Sequence, residues 1–537
     1  MPSDSSSPLL TERLIRQLKS SGKRLKAADS TGVKLSGIDL LTRTLALKNY
    51  LTRSVLAPDE SNVGVFLPPT VPAVATNFAL ALANRVAVNL NYTVNSSVLK
   101  QCAEAAGLKH VITSLKFVDK VGLDPGAEMI YLEDVRQEIT IGDKLSALFN
   151  SCCRSADGLH RHLGLNARTK DDPVTIIFTS GSTGIPKGVV LTDANITSNV
   201  EAIDDCIHLN EQDVVLGVLP FFHSFGYTVT LWSALTLPCA GVYHFSPLEA
   251  RPIGKLAKDF GATVLLATPT FLRTYIRRIE PDQFAKLDVA VVGAEKMPIA
   301  LAEEFEQRFG VRPVEGYGTT ELSPLVSVNI PPSRDTSAKS GSGKCRRREG
   351  TVGQTVKSVE ARIVSPDSDE PLPIGEQGLL EIRGPNVMQG YLDQDEMTAK
   401  VMHDEWYRTG DVAKLDSEGF IEITGRLSRF SKIGGEMVPH IQIEEKLAEL
   451  IGIDDEGELQ VAVTAVPDEK RGERLIVLHR EMSHSPDELL KQLSLAGLPN
   501  IYLPSADSFL QVEEIPMLGS GKLDLKRLRD VAVEHFG

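Results

Sequence analysis

The sequence predicts an α/β protein built on parallel, doubly wound sheets, followed by a small α+β unit at its carboxyl end. Three observations carry that expectation. Apolar runs bounded by turn residues alternate with helix-period stretches through the first two-thirds of the chain, the pattern of strand–helix–strand crossovers. At 537 residues the chain exceeds what a single core supports, so two to four domains are expected. The run TSGSTGIPKG at 179–188 directly follows the apolar stretch Val174–Phe178, which puts a glycine-rich loop at the end of a buried strand.

Along the chain, residues 1–12 begin as a Ser-rich segment without a basic stretch and apolar core, and are expected to be disordered rather than a signal peptide. Strands are expected at Val63–Leu67, Val86–Leu90, Val111–Thr113, Val214–Leu219, Val264–Ala267 and Val289–Val292, with a short one at Arg312–Val314. Helices are expected at Val71–Ala83 and Leu301–Phe309. From Val214 to Leu248 there is no Asp, Glu, Lys or Arg, a length that could cross a bilayer. Pro220, Gly226, Pro238 and Gly241 break it into short elements, so it reads as a deeply buried wall. Residues 333–350 hold six Lys/Arg against two acids among Gly and Ser, and read as a mobile basic loop. Strand-like runs at Val352–Val364 and Leu379–Ile382 then suggest a small β-rich unit. The tail has helical patterns near 441–451 and 486–496 and strands near 460–466 and 475–478. The expected division is therefore 13–426 and 427–537.

Composition narrows the function. A net charge of −14 argues against general nucleic-acid binding, which needs a basic face. The six cysteines, at 102, 152, 153, 206, 239 and 345, form no CxxC pair and no zinc spacing, which fits reduced thiols in a cytoplasm-like compartment. Within 179–188, glycines let backbone N–H groups close around an anion, hydroxyls add donors and Lys187 adds charge. That is a polyphosphate cradle, but not the Gly-x4-Gly-Lys-Ser/Thr loop, because Lys187 lies between Pro186 and Gly188.

Five further clusters recur in order: Gly293-Ala294-Glu295-Lys296, Gly316-Tyr317-Gly318-Thr319-Thr320-Glu321, Tyr407-Arg408-Thr409-Gly410-Asp411, Gly425-Arg426 and Gly519-Ser520-Gly521-Lys522. Singly, each is a turn with a charge in it. Together with the first loop they resemble the adenylate-forming superfamily of acyl-CoA synthetases, aryl acid ligases, luciferases and adenylation domains, over roughly residues 35–530. HSFGYTVTLW at 223–232, GYGTTELSPLVSVN at 316–329, RFSKIGGEMV at 429–438 and YLPSADSFLQVEEIPMLGSGK at 502–522 look closer still to the synthetase half of bacterial bifunctional 2-acylglycerophosphoethanolamine acyltransferase/acyl-[acyl-carrier-protein] synthetases. The acyltransferase half is marked by His, four residues and Asp. His208–Asp213 matches that string inside the adenylating region and reads as coincidence.

The resemblance implies two doubly wound subdomains plus a β-barrel-like one, and a small mobile C-terminal domain hinged near Ser428, where the family usually has Asp or Lys. It implies ATP and Mg²⁺. Thr179, Ser180, Gly181, Ser182, Thr183, Gly184 and Lys187 would hold phosphates, Thr320 the α-phosphate and Glu321 the metal. Tyr317 would face adenine, flanked by Gly316, Gly318 and Thr319, with Gly293, Ala294 and Glu295 as the opposite wall. Asp411, assisted by Arg426, would take the ribose hydroxyls, His223 would border the acyl carboxylate, and Lys522 would bridge the carboxylate and phosphate. Phe222, Phe225, Tyr227 and Trp232 are expected to form an acyl tunnel. Lys432, Gly434 and Gly435 would meet a phosphopantetheine thiol.

The expected reaction is activation of a medium- or long-chain fatty acid as acyl-AMP and transfer to that thiol, with acyl-carrier protein preferred to CoA as the acceptor. Arg426, Arg429, Lys432, Lys522, Lys526, Arg527 and Arg529, with the 339–348 loop, are the basic patch proposed to dock an acidic carrier. The alternatives are a CoA ligase for another carboxylic acid and a non-catalytic scaffold, the latter opposed by retention of Lys187, Thr320, Glu321, Asp411, Arg426 and Lys522. A lipid substrate is compatible with peripheral membrane contact, although no amphipathic anchor stands out.

Overall fold

The computed structural model describes residues 7–179, 186–335, 346–434, 436–451, 459–468, 470–482, 484–496, 498–517 and 523–537. Two mixed sheets form the bulk of the chain. One has seven strands in the order Gly390–Tyr391, Lys187–Thr192, Pro173–Thr179, Val86–Asn89, Asn62–Val65, His110–Thr113, Glu128–Tyr131. Its last five run parallel, and Lys187–Thr192 returns antiparallel on Pro173–Thr179. The other has nine strands, with a parallel centre from Val314–Gly318 through Val289–Val292, Val264–Ala267, Val214–Gly217 and Ala240–Tyr243 to Leu25–Asp29. Its edges are antiparallel.

Alternation along these strands divides the core. Val215, Leu266 and Val291 face the large cluster shared with the first sheet. Leu216, Leu265, Ala267, Ala290 and Val292 face the helices Ala250–Phe260, Pro269–Arg278 and Ile299–Phe309. Strands buried on both faces read as continuous apolar runs, which is why Val264–Ala267 and Val289–Val292 are found where the sequence expects them. The uncharged stretch 214–248 forms two strands around a π-helical segment, Phe225–Ser233. Among the described residues no helix is long and apolar enough to cross a membrane.

Several expectations are corrected. Leu10–Ser21 is a helix with Leu10, Leu14 and Leu18 fully buried, so order begins within the segment 1–12 expected to be disordered. Val352–Val364 is not one strand. Gln354–Thr355 edges the nine-stranded sheet and Glu360–Val364 begins another. The YRTGD run lies inside the strand Trp406–Leu415, not in a loop ahead of one, and Gly316–Gly318 belongs to a strand that starts at Val314 rather than ending there. The basic segment 333–350 is ordered at both ends. Arg334 pairs with Asp213 (2.7 Å) and Asp288 (2.8 Å), and Arg348 pairs with Asp416 and Glu418. The rest of it, 336–345, lies outside the described residues. Asp213 also accepts from Thr263 Oγ1 (2.8 Å), a structural role for the His208–Asp213 string.

The β-rich unit is a five-stranded antiparallel sheet centred on Trp406–Leu415. Beyond Arg426 a further five-stranded sheet carries helices His440–Ile451 and Pro486–Leu495 on the face of Val461, Val463, Leu475 and Val477. Helix Leu525–Phe536 covers the other face, with Ala462, Ile476 and Leu478. His440 is buried there, its Nε2 2.6 Å from Ser431 Oγ, and burial, reinforced by Arg429, lowers its pKa to about 3.

A histidine held neutral in the fold but free to protonate near pH 6.5 when unfolded stabilises fully above pH 6.5 and progressively less below it, down to about pH 3. His440→Gln is therefore expected to flatten the acid-side loss of stability by up to about 1.4 kcal/mol per pH unit. Urea melts at pH 7, 6 and 5 check this. Equal slopes for both proteins overturn it.

Candidate active site

The carboxyl ends of the parallel strands in both large sheets open into one cavity of about 2870 Å³. Ligand sites in open α/β sheets lie in such crevices, where strand ends leave backbone groups and loops free. Strand Val289–Val292 delivers Gly293, Ala294 and Glu295 to its wall, strand Val314–Gly318 delivers Thr319, Thr320 and Glu321, and Val214–Gly217 leads to Phe222, His223 and Phe225. Asp411 and Arg426 enter from the antiparallel sheet, Ile441 from the helix His440–Ile451 and Leu523 from the segment before helix Leu525–Phe536.

The polar end is tightly built. Tyr317 Oη donates to Asp411 Oδ2, while Arg426 Nε donates to Asp411 Oδ1 at 2.7 Å. Asp411 and Arg426 are cross-strand partners, so the ladder itself sets the pair. Burial, then the Asp411 charge, pushes the Tyr317 phenol well above its ordinary pKa, and Asp411 raises that of Arg426. Tyr317 thus stays a neutral donor and Arg426 a cation. Glu321 Oε1 accepts from Tyr391 Oη (2.9 Å), and Lys187 Nζ lies 5.1 Å from the centre of the same tyrosine ring. Ser224 Oγ bonds Thr320 Oγ1 at 3.3 Å, and Glu295 Oε2 accepts from the backbone and hydroxyl of Thr270. Thr319 Oγ1 is buried and has no hydrogen-bond partner among the described residues.

Two backbone features keep the walls close. Ala294 adopts φ 68°, a left-handed conformation that turns the chain sharply after the strand. At Gly318 an added Cβ would lie 1.9 Å from Pro324 O, so a side chain is excluded.

Of the residues singled out in the sequence, the structure brings Thr179, His223, Gly293, Ala294, Glu295, Gly316, Tyr317, Gly318, Thr319, Thr320, Glu321, Asp411 and Arg426 to this one cavity. Lys187 stands behind it, against Tyr391. Ser180, Gly181, Ser182, Thr183, Gly184, Gly435 and Lys522 lie outside the described residues, as does the side chain of Ser428, in the single turn Leu427–Arg429. Lys432 and Gly434 do not line the cavity; Lys432 Nζ pairs instead with Asp367 at 2.9 Å. The tunnel aromatics divide. Phe222 and Phe225 line the cavity, whereas Tyr227 and Trp232 are fully buried in the core, Trp232 against Phe78 at 5.0 Å. The π-helical turn sets which of these side chains face inward. Sequence reasoning missed Tyr391 and Ser224, whose partners lie 70 and 96 residues away and carry no local signal.

Chemically, this end offers an aromatic face, a carboxylate–guanidinium pair, several hydroxyls and the Glu321 carboxylate. That set suits a ligand with a flat base, a diol and a polyanion. Among the described residues no group of three or more His, Cys, Asp or Glu could hold a metal, so an ion at Glu321 would fill its shell from phosphate oxygens and water, the habit of Mg²⁺.

Residues 16–392 match the AMP-binding enzyme family. Among curated proteins the chain is similar to a long-chain-fatty-acid–CoA ligase of Bacillus subtilis, 27% identical over 541 residues, covering 94% of this chain and 91% of that protein. The fold is that of ATP-bound MatB from Rhodopseudomonas palustris, with TM-score 0.78 at 24% identity over 98% of this chain and 100% of that one. It is equally like Bacillus subtilis o-succinylbenzoate CoA synthetase (MenE) in complex with ATP and magnesium, with TM-score 0.78 at 20% identity over 97% and 99%.

The two neighbouring glycines give a contrast. At Gly316 an added Cβ meets nothing nearer than 3.5 Å, whereas at Gly318 it meets backbone. Gly318→Ala is expected to destabilise the protein by about 3 kcal/mol or more, Gly316→Ala by less than about 1 kcal/mol. Denaturant melts of the two variants decide it, and similar losses would show that the Pro324 backbone yields.

Proposed function

This chain belongs to the AMP-binding enzyme family, and we propose that it is an ATP-dependent, AMP-forming ligase that activates a medium- or long-chain fatty acid and passes the acyl group to coenzyme A. The observation that carries this reading is that one cavity is lined by the Tyr317–Asp411–Arg426 cluster, by His223 and by the apolar Phe225, Val229, Val98 and Leu47, which we read as an acyl slot. Each methylene removed from water contributes about 0.8 kcal/mol, so such a slot favours acyl chains.

The first step is attack of a carboxylate oxygen on the α-phosphorus of ATP. The new P–O bond forms as the bond to pyrophosphate breaks, giving acyl-AMP. Two anions must approach, so positioning and charge neutralisation are what the protein supplies. In this reading Thr179 with Ser180–Gly184 and Lys187 hold the β- and γ-phosphates, and Thr320 donates to the α-phosphate. Tyr317 and the Gly293–Glu295 turn enclose adenine. Asp411, already oriented by Tyr317 and Arg426, accepts from the ribose hydroxyls. Glu321 would hold Mg²⁺, which draws charge from the phosphate oxygens. His223 borders the acyl carboxylate, and Lys522 neutralises charge between carboxylate and phosphate. Its sequence neighbour Leu523 lines the cavity, which supports that reach. In the second step the thiol sulfur attacks the acyl carbonyl carbon, its proton passes to solvent and AMP departs. The turn at Ser428, with Lys432, Gly434 and Gly435, would present the thiol arm. Residues 427–537 would act as the moving unit.

On the acceptor the reading departs from the sequence-based preference for a carrier protein. The Bacillus subtilis relative is named a CoA ligase and covers nearly the whole chain. Of the basic residues expected to dock an acidic carrier, Arg426 is held by the buried Asp411 and Arg429 by Glu444, whereas Lys432 and Arg527 pair with Asp367 and Glu534 on the surface.

Pyrophosphate exchange across a panel of fatty acids, followed by mass-spectrometric competition between CoA and acyl-carrier protein, tests the proposal. Exchange with C8–C18 acids and acyl-CoA as the main product are expected. Exchange with no fatty acid, or acylation of the carrier alone, overturns it. Lys522→Ala is expected to lower exchange by about 10²–10³-fold; an unchanged rate removes Lys522 from the chemistry. Asp411→Asn, which keeps the shape but weakens the hold on a diol, is expected to raise the KM for ATP by about tenfold, corresponding to one charged hydrogen bond.

A further inference from the structure

The helix Ile141–Cys153 is inverted relative to an ordinary surface helix. Its inward face is small and polar: Asp143, Ala147, Asn150 and Ser151 are buried against the helix Gly37–Ser54. Polar bonds fix it there, Arg53 to Asp143 at 2.9 Å and Thr42 Oγ1 to Ser151 Oγ at 2.7 Å. The large apolar residues point outward instead. Ile141, Leu145, Leu148 and Phe149 are 75, 61, 51 and 57% exposed, and their spacing of four, three and one places them on one stripe. Cys152, exposed as well, continues that stripe. A soluble helix normally buries such a face, so the pattern marks an interaction surface.

The surroundings identify the partner. Lys144 of this helix lines the cavity, as do Val135, Arg136 and Ile139. Arg43, Lys116 and Lys120 line the same cavity, five cations in all with Lys144 and Arg136, beside the acids Glu133 and Glu249. Asp134 and Glu138 also lie on the neighbouring helix, Glu138 accepting from Tyr50 Oη at 2.8 Å. In a chain of net charge −14, a basic rim round an apolar stripe is a local reversal suited to an anionic surface. The stripe is four or five side chains on one helix, whereas a specific protein interface engages about 20–30 residues a side. An amphipathic helix lying in a lipid headgroup layer needs no more than such a stripe with cations beside it.

We propose that the helix Ile141–Cys153 docks this protein on an anionic lipid bilayer, with the basic rim on the headgroups and this side of the cavity facing the membrane. An acyl chain then enters the apolar slot from the bilayer without crossing bulk water. The docking stands on the helix and its charges alone; only the route for the acyl chain rests on the ligase reading.

The test is flotation of the full chain with phosphatidylcholine vesicles, with and without 30% phosphatidylglycerol, at low and high salt. The protein is expected to float with phosphatidylglycerol vesicles and to be released by salt. Leu148→Ser/Phe149→Ser is expected to bind at least tenfold more weakly, with unchanged turnover of a water-soluble short-chain acid. In Phe149→Trp, the added indole is expected to shift to the blue when phosphatidylglycerol vesicles are added, an independent reading should the double variant fold poorly. No flotation of the wild type, equal binding by the double variant or an unshifted emission overturns the proposal. So does a dimer in sedimentation that the double substitution dissolves, which would assign the stripe to a second copy. Vesicle binding without turnover of any acid would leave the docking standing and refute the ligase.

Discussion

Asp411 is the point on which the polar end of the cavity depends. One carboxylate oxygen takes the Tyr317 hydroxyl from the nine-stranded sheet and the other takes Arg426 from its own antiparallel sheet. A buried carboxylate is costly unless it is paired and hydrogen-bonded. Here both conditions are met by groups from different sheets, so one buried charge also sets the relative position of two layers. Glu321 repeats the arrangement on a smaller scale, reaching Tyr391 on the edge of the seven-stranded sheet. Two carboxylates thus tie three sheets around one cleft. The chemistry is positioned by strands rather than by loops alone.

How much of this could be read in advance follows from what each feature needs. Strands buried on both faces announce themselves as apolar runs, and Val264–Ala267 and Val289–Val292 stand where they are expected. Motif residues that follow such strands are also legible, because a strand's end fixes where its loop begins. Gly293 to Glu295 and Thr319 to Glu321 meet in the cavity for that reason. The YRTGD run holds Gly and Asp, which disfavour a strand, yet cross-strand pairing of Asp411 with Arg426 overrides propensity. The tunnel aromatics were misassigned in part because sequence gives no warning of a π-helical turn, and one extra residue per turn moves Tyr227 and Trp232 into the core. Tyr391 and Ser224 lie too far along the chain from their partners to be found by local pattern.

Charge is equally uneven in what it reveals. Arg334 and Arg348 look like members of a free basic loop, but they are the ordered ends of it, held by Asp213, Asp288, Asp416 and Glu418. A count of lysines and arginines cannot distinguish a cation that faces a partner from one already answered inside the fold. The helix Ile141–Cys153 shows the converse, since its outward leucines are visible in the sequence but only the buried Asp143, Asn150 and Ser151 show which way it faces.

An ion pair links the large sheets to the last unit. Lys296, beside the Glu295 wall, reaches Glu445 at 3.0 Å, and both side chains are largely in water. An ion pair of that kind is worth about 0–1 kcal/mol and fades with added salt. Ile441, one turn from Glu445, is part of the cavity's wall. On that side of the chamber the last unit is thus held only weakly by charge, while the apolar anchor lies elsewhere, where Phe430 packs against Val364, Leu379 and Val412 of the antiparallel sheet.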